Sequence, residues 1–257
     1  MTDTVLYQRD GHIATLTYNR PQAMNAVNAE LRADLNAAWV RFRDDDEAWV
    51  GIVTGNGRAF CAGADLRQGG AGDAVDHSFW EIPGLTSLEN GIEIWKPIIA
   101  AVNGYALGFG LTLVTACDFV IASDRAEFGF PEVLLGVPTI QGSVRTPRFI
   151  GWQAAMELLL TGERVNAETA REMGLVRKVV PHDRLMEEAQ SLAERLCRAA
   201  PLAVRATKEV AKRGLNMPFA DAIRFGETMR RVAGATDDAA EGGRAFREQR
   251  APRWTGR

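Results

Sequence analysis

PIIAAVNGYALGFGLTLVTACDFVIA, residues 97–122, decides the fold. Its two ends, PIIAAVN (97–103) and DFVIA (118–122), have the near-continuous apolar character of strands covered on both faces. Between them Gly104, Gly108 and Gly110 open a helix-like segment, which implies a crossover between parallel strands. Upstream, IATLTYN (13–19) and WVGIVT (49–54) are β-rich, and residues 28–43 between them repeat Leu31, Leu35, Ala38, Trp39 and Phe42 at helical spacing. That is a second β–α–β unit, so the core reads as a stacked α/β sheet. Past residue 150 the texture changes. Segments 151–161, 167–173, 182–199, 201–213 and 218–233 are rich in Ala, Leu, Glu and Arg and punctuated by Asn166, Pro181, Pro201, Gly214 and Pro218, which predicts an all-helical C-terminal region. Residues 67–78, RQGGAGDAVDHS, have no periodicity and read as a loop.

Composition excludes several classes. In 257 residues, 46% hydrophobic and 25% charged content is that of a globular chain, which excludes disorder and collagen-like repeats. A net charge of −3 supplies no basic field for nucleic acid. Cys61, Cys117 and Cys197 are an odd, widely spaced set without CxxC, which predicts free thiols and a cytoplasmic setting. The opening MTDTVLYQRDG has no basic-then-apolar pattern and no apolar run reaches the length of a membrane span, so neither export nor a membrane is expected.

Familiar cofactor motifs fail on inspection. GNGRAF (55–60) has Phe60 where a dinucleotide fingerprint needs its third glycine. Neither a phosphate-cradling GxxxxGK[ST] nor a GxSxG elbow occurs. His12, His77 and His182 stand far apart and predict no metal site.

Three segments remain. GNGRAFCAGADL (55–66) sets Ala62, Gly63 and Ala64 after a strand and before Asp65, as a backbone does when it approaches a ligand or merely turns tightly. The glycines of NGYALGFG open a helix whose first N–H groups have no internal acceptor, suiting an anion or close packing. In FGFPEVLLGV (128–137), Glu132 sits in an apolar stretch that should raise its pKa; its alternative role is a carboxylate at a helix start behind Pro131.

The order and spacing of NRPQAMNAV (19–27), GRAFCAGADL (57–66), AAVNGYALGFGLTLVTACDFVIAS (100–123) and FGFPEVLLG (128–136) resemble the crotonase family, the enoyl-CoA hydratases and isomerases. The resemblance continues through LLLTGERVNAETAREMGLVRKVV (158–180) and EGGRAFREQRAPRW (241–254). It implies a ββα spiral core, drawn here as residues 1–195, and a helical oligomerisation region, residues 196–257, in a homotrimer or a dimer of trimers. It implies an acyl-CoA thioester as substrate, with coenzyme A part of the substrate and no separate cofactor. Two backbone N–H groups, those of Ala64 and Phe109, would hold the enolate oxygen, and Glu132 would be the acid/base. Ala23, Asn25, Ala62, Asp65, Leu66, Gly110, Thr112 and Phe246 would surround the substrate.

The departures are informative. Thr112 stands where the two-glutamate hydratases of fatty-acid metabolism carry their other carboxylate. Gln22 and Gln249 replace two lysines near the CoA phosphate, leaving Arg20, Arg67, Arg247 and Arg250 as substitutes. Hydration of a 2-enoyl-CoA is the leading expectation. The alternatives are single-glutamate isomerisation, CoA-independent carbon–carbon hydrolysis and a non-enzymatic or RNA-binding scaffold of the same fold. Phe79, Trp80, Leu85, Leu88 and Trp95 suggest a bulky or aromatic acyl group.

Overall fold

The computed structural model describes residues 3–68 and 87–257. Strands β1 (Val5–Asp10) and β2 (Ile13–Tyr18) form an antiparallel hairpin around Gly11, at φ +53°. Helix α1 (Ala29–Asp44) then returns the chain to β3 (Val50–Gly55), parallel to β2. Asn28 caps α1 by accepting from the Leu31 N–H at 2.9 Å, and the buried stripe is the one the sequence spacing predicts.

From β3 onward a strand in a large sheet is repeatedly followed by a short strand in a small sheet. The pairs are β3 with β4 (Ala59–Cys61), β5 (Ile98–Val102) with β6 (Tyr105–Leu107), and β7 (Phe119–Ser123) with β8 (Glu127–Gly129). Helix α2 (Phe109–Val114) follows the second pair; α3 (Gln141–Ile150) and α4 (Trp152–Thr161) follow the third. This is the expected ββα spiral. Strand β9 (Val165–Asn166) closes the small sheet, ordered β4-β6-β8-β9, and after α5 (Ala167–Glu172) strand β10 (Lys178–Val180) completes the large one, ordered β1-β2-β3-β5-β7-β10.

The large sheet is covered on both sides, which is why its strands read as unbroken apolar runs. Along β5, Ile98, Ala100 and Val102 join the main core with α1 and α2, while Ile99 and Ala101 face the layer of Leu185, Ala189, Leu192 and Ala193 from α6 (Leu185–Cys197).

Helices α7 (Pro201–Gly214), α8 (Phe219–Gly234) and α9 (Asp237–Arg247) complete the chain, and α8 has no buried residue. The segment after α9 is tied down by carboxylates. Asp238 accepts from the N–H groups of Thr255 and Gly256 at 2.7 and 3.0 Å, and Glu241 accepts from Arg253 N at 2.9 Å. No helix among the described residues is long and apolar enough to cross a membrane.

Candidate active site

The small sheet positions the site. Its parallel strands β4, β6 and β8 end at Cys61, Leu107 and Gly129, and Ala64, Phe109 and Glu132 follow two or three residues beyond those ends.

The first corner is set by a bridge to residue 27. Val27 donates to Gly63 O at 2.8 Å and Asp65 donates to Val27 O at 2.9 Å, so the Ala64 N–H between them points away. Gly63 has φ +98°, and a Cβ there would stand 3.2 Å from Leu107 O. Both facts require glycine, and together they press the Ala64 turn against the start of α2.

The second corner is that start. Gly108, at φ +53°, donates to Gly129 O at 2.9 Å and caps the helix, leaving Phe109 as its first residue. Among the described residues neither the Ala64 nor the Phe109 N–H has a protein acceptor. Gly110 passes so close to β4 that a Cβ would fall 2.2 Å from Cys61 O. Its role is to let α2 approach.

Glu132 forms the third corner. It lies in a short 3-10 turn, Pro131–Leu135, beginning at proline and ending on Gly136 in the left-handed region. A Cβ on Gly108 would stand 3.0 Å from Glu132 Oε1, so the carboxylate faces the start of α2. Its Oε2 is buried without a hydrogen-bond partner. Desolvation raises the Glu132 pKa above the ordinary carboxylate range, opposed by hydrogen bonds from its own backbone and from Thr139. Leu134, Leu135, Val137 and Ile140, beside it, are exposed and apolar.

The remaining residues divide. Ala62 and Ala64 are half-buried on one turn, Leu66 is exposed next to it, and Thr112 is buried in α2. Ala23 is half-buried in the short helical turn Pro21–Ala23. The side chains of Asn25 and Asp65 are both engaged within the protein. Asn25 is fully buried, accepts from Arg20 N at 2.9 Å, and donates to Asn56 O and Ala59 O at 3.0 and 2.7 Å. Asp65 pairs with Arg20 Nη2 at 3.2 Å, so Arg20 is a buried brace across the site. Arg250 is likewise engaged, by Glu241 and Glu248 at 2.6 Å each. Phe246 is 86% exposed on α9, and the single chain does not bring it to Glu132.

His12 stacks on Trp49 at 3.5 Å and His182 contacts Ser123 Oγ at 3.1 Å; both serve packing, and His77 lies outside the described residues. So do Phe79, Trp80 and Leu85. Sequence reasoning missed Arg32. Its guanidinium lies 5.0 Å from the centroid of the Phe109 ring and 3.5 Å from Glu89, a pairing across distant segments with no local signature.

Comparison with known proteins identifies the family. The family model described as enoyl-CoA hydratase/isomerase matches residues 8–257. The chain is 40% identical to an (E)-benzylidenesuccinyl-CoA hydratase of Thauera aromatica, covering 98% of this chain and 99% of the relative. It is 38% identical to a carnitinyl-CoA dehydratase of Salmonella typhi over the full length of both. Among solved structures, an enoyl-CoA hydratase of Mycobacterium tuberculosis H37Rv superposes with a TM-score of 0.91 at 38% identity, covering 99% of this chain and 100% of that one. With a family model matched almost end to end and relatives near 40% identity, the chain belongs to the enoyl-CoA hydratase/isomerase family, the crotonases.

Proposed function

We propose that this enzyme hydrates a 2-enoyl-CoA thioester, with Glu132 as its acid/base and the N–H groups of Ala64 and Phe109 as its oxyanion hole. One observation carries the reading: a carboxylate with a buried, unpartnered oxygen stands against the start of a helix whose first N–H is itself unpartnered. A thioester carbonyl bound by both N–H groups is polarised before charge develops, and each such donor is worth roughly 3–4 kcal/mol in an acyl-transfer site. Ionised Glu132 takes a proton from water as the oxygen adds at the β-carbon. The electron pair of the double bond moves through the α-carbon onto the thioester oxygen, and the proton held by Glu132 is then delivered to the α-carbon. No atom is left over, and the carboxylate is regenerated.

Thr112 in place of a second carboxylate favours this one-base cycle, because its hydroxyl does not exchange protons near neutrality. The same feature supports a second reading, isomerisation, in which Glu132 carries a proton between the α- and γ-carbons. Turnover of crotonyl-CoA against a 3-enoyl-CoA separates the two. Glu132→Gln keeps the shape and removes the base, so hydration should fall by roughly 10²–10⁴. Activity retained within a few-fold would remove Glu132 from the mechanism.

A further inference from the structure

Behind Phe109 lies a set of buried polar groups that the proton cycle does not use. Glu89 is 3% exposed, and neither carboxylate oxygen has a hydrogen-bond partner. Its nearest cation is Arg32, whose Nη1 stands 3.5 Å from Oε1, beyond the roughly 2.7–2.9 Å of a charge-assisted hydrogen bond. The Arg32 side chain makes no hydrogen bond to any described residue and is 34% exposed. Its guanidinium is held over the Phe109 ring, 5.0 Å from the centroid. The Tyr18 hydroxyl, within electrostatic reach of both Arg32 and Glu89, is also buried without a partner. So are Asn36 Oδ1 and Trp39 Nε1, one and two turns along α1 from Arg32.

Buried polar groups in a protein interior are almost always satisfied, yet Glu89 and the Tyr18 hydroxyl beside this guanidinium are not. The cost is repaid if a ligand supplies the missing partner. Arg32 is the member with exposed surface, and its closest approach to Glu89 is through Nη1. The Nε–Nη2 edge has no hydrogen-bond acceptor among the described residues. That edge matches a carboxylate, which accepts two parallel N–H bonds.

We infer that Arg32 is a specificity-determining residue, selecting CoA thioesters whose acyl group itself carries a carboxylate. This rests on the reading of Phe109 as an oxyanion donor, because that places its ring, and the cation upon it, on the acyl side of the carbonyl. Glu89 is the positioning residue: too enclosed to meet the acyl group, it fixes Arg32 from behind. Arg32 and Phe109 thus give one helix start two tasks, carbonyl polarisation through the backbone and acyl selection through the side chain.

The test is equilibrium binding of two saturated CoA thioesters to the full-length protein at fixed ionic strength, one ending in a carboxylate and the other in the corresponding amide. Wild type should prefer the acid by about tenfold or more. Arg32→Leu should abolish the preference and Arg32→Lys retain part of it, with cooperative thermal unfolding of each variant as the check on folding. Equal binding of acid and amide by wild type, a preference that survives Arg32→Leu, or no binding of either thioester overturns the assignment. Crotonyl-CoA turnover is measured in parallel. Its absence beside an intact acid preference removes the hydratase reading alone; its presence without that preference removes the role of Arg32 alone.

Discussion

Gly63 and Leu107 meet where two segments more than forty residues apart press together, and a Cβ on Gly63 would stand 3.2 Å from the Leu107 carbonyl oxygen. That contact sets the spacing of the Ala64 and Phe109 N–H groups. Gly63→Ala adds a side chain in a left-handed conformation, costing of order 1–3 kcal/mol. It also pushes the two donors apart. Turnover of an enoyl-CoA should fall by about a hundredfold while the protein still unfolds cooperatively. Near-normal kcat/KM in a folded variant would show that the spacing is not set here.

Burial of Glu132 makes a pH prediction whose sign is fixed. Its folded pKa is raised, so the protonated form favours the folded state and the ionised form opposes it. At pH 7 the Glu132→Gln variant should therefore have the higher Tm. The gap should close as pH falls through the raised value toward that of an ordinary carboxylate. With Glu132 as the proposed base, the acid limb of the wild-type rate should lie above the ordinary carboxylate range. Equal Tm for the two proteins from pH 4 to 8 contradicts the desolvated site.

The two arginines near position 249 should behave differently. Arg250 is tied to Glu241 and Glu248, whereas Arg247 is exposed and forms no ion pair among the described residues. If CoA's 3′-phosphate is read at this end of the chain, Arg247→Ala should cost about tenfold in acyl-CoA affinity and nothing against the 3′-dephospho form. Arg250→Ala should instead lower Tm. Wild type that binds both forms equally well shows the phosphate to be unrecognised.

Helix α8 buries no residue, and Phe219 and Phe246 are more than 80% exposed, with Leu215, Ile223 and Val232 also open. Apolar surface of that extent calls for a partner, and a trimer or a dimer of trimers of this chain would cover it. Light scattering should give a multiple of the subunit mass. A monomer that persists at micromolar concentration leaves the C-terminal helices without that role.

Much of this was legible in the sequence because both faces of the large sheet and the stripe of α1 are decided by apolar periodicity. Residues 98–102 alternate between two cores and still read as one strand. The small sheet was not legible. Strands β4, β6 and β8 are three residues each, too short for a period of two to emerge, and they sit among glycines that argue for turns. Strand β1 went unread despite the Asp10-Gly11 turn signal behind it. In the site, Ala64, Phe109 and Glu132 are named through the family resemblance, since the small-residue patterns alone also fit tight turns and close packing. The side-chain pairs that brace it were not legible: Arg20 with Asp65, and Arg32 with Glu89, are joined only by the fold.

The placement of Ala64, Phe109 and Glu132 just past three adjacent strand ends separates what must stay fixed from what is free to vary. Strand β6 pairs with β4 on one side and β8 on the other, so a slip in its register would displace all three groups at once. Arg32 on α1 and Glu89 in the segment before β5 hang on no such ladder. Exchange at positions such as 32 and 89 would therefore leave the placement of Ala64, Phe109 and Glu132 intact.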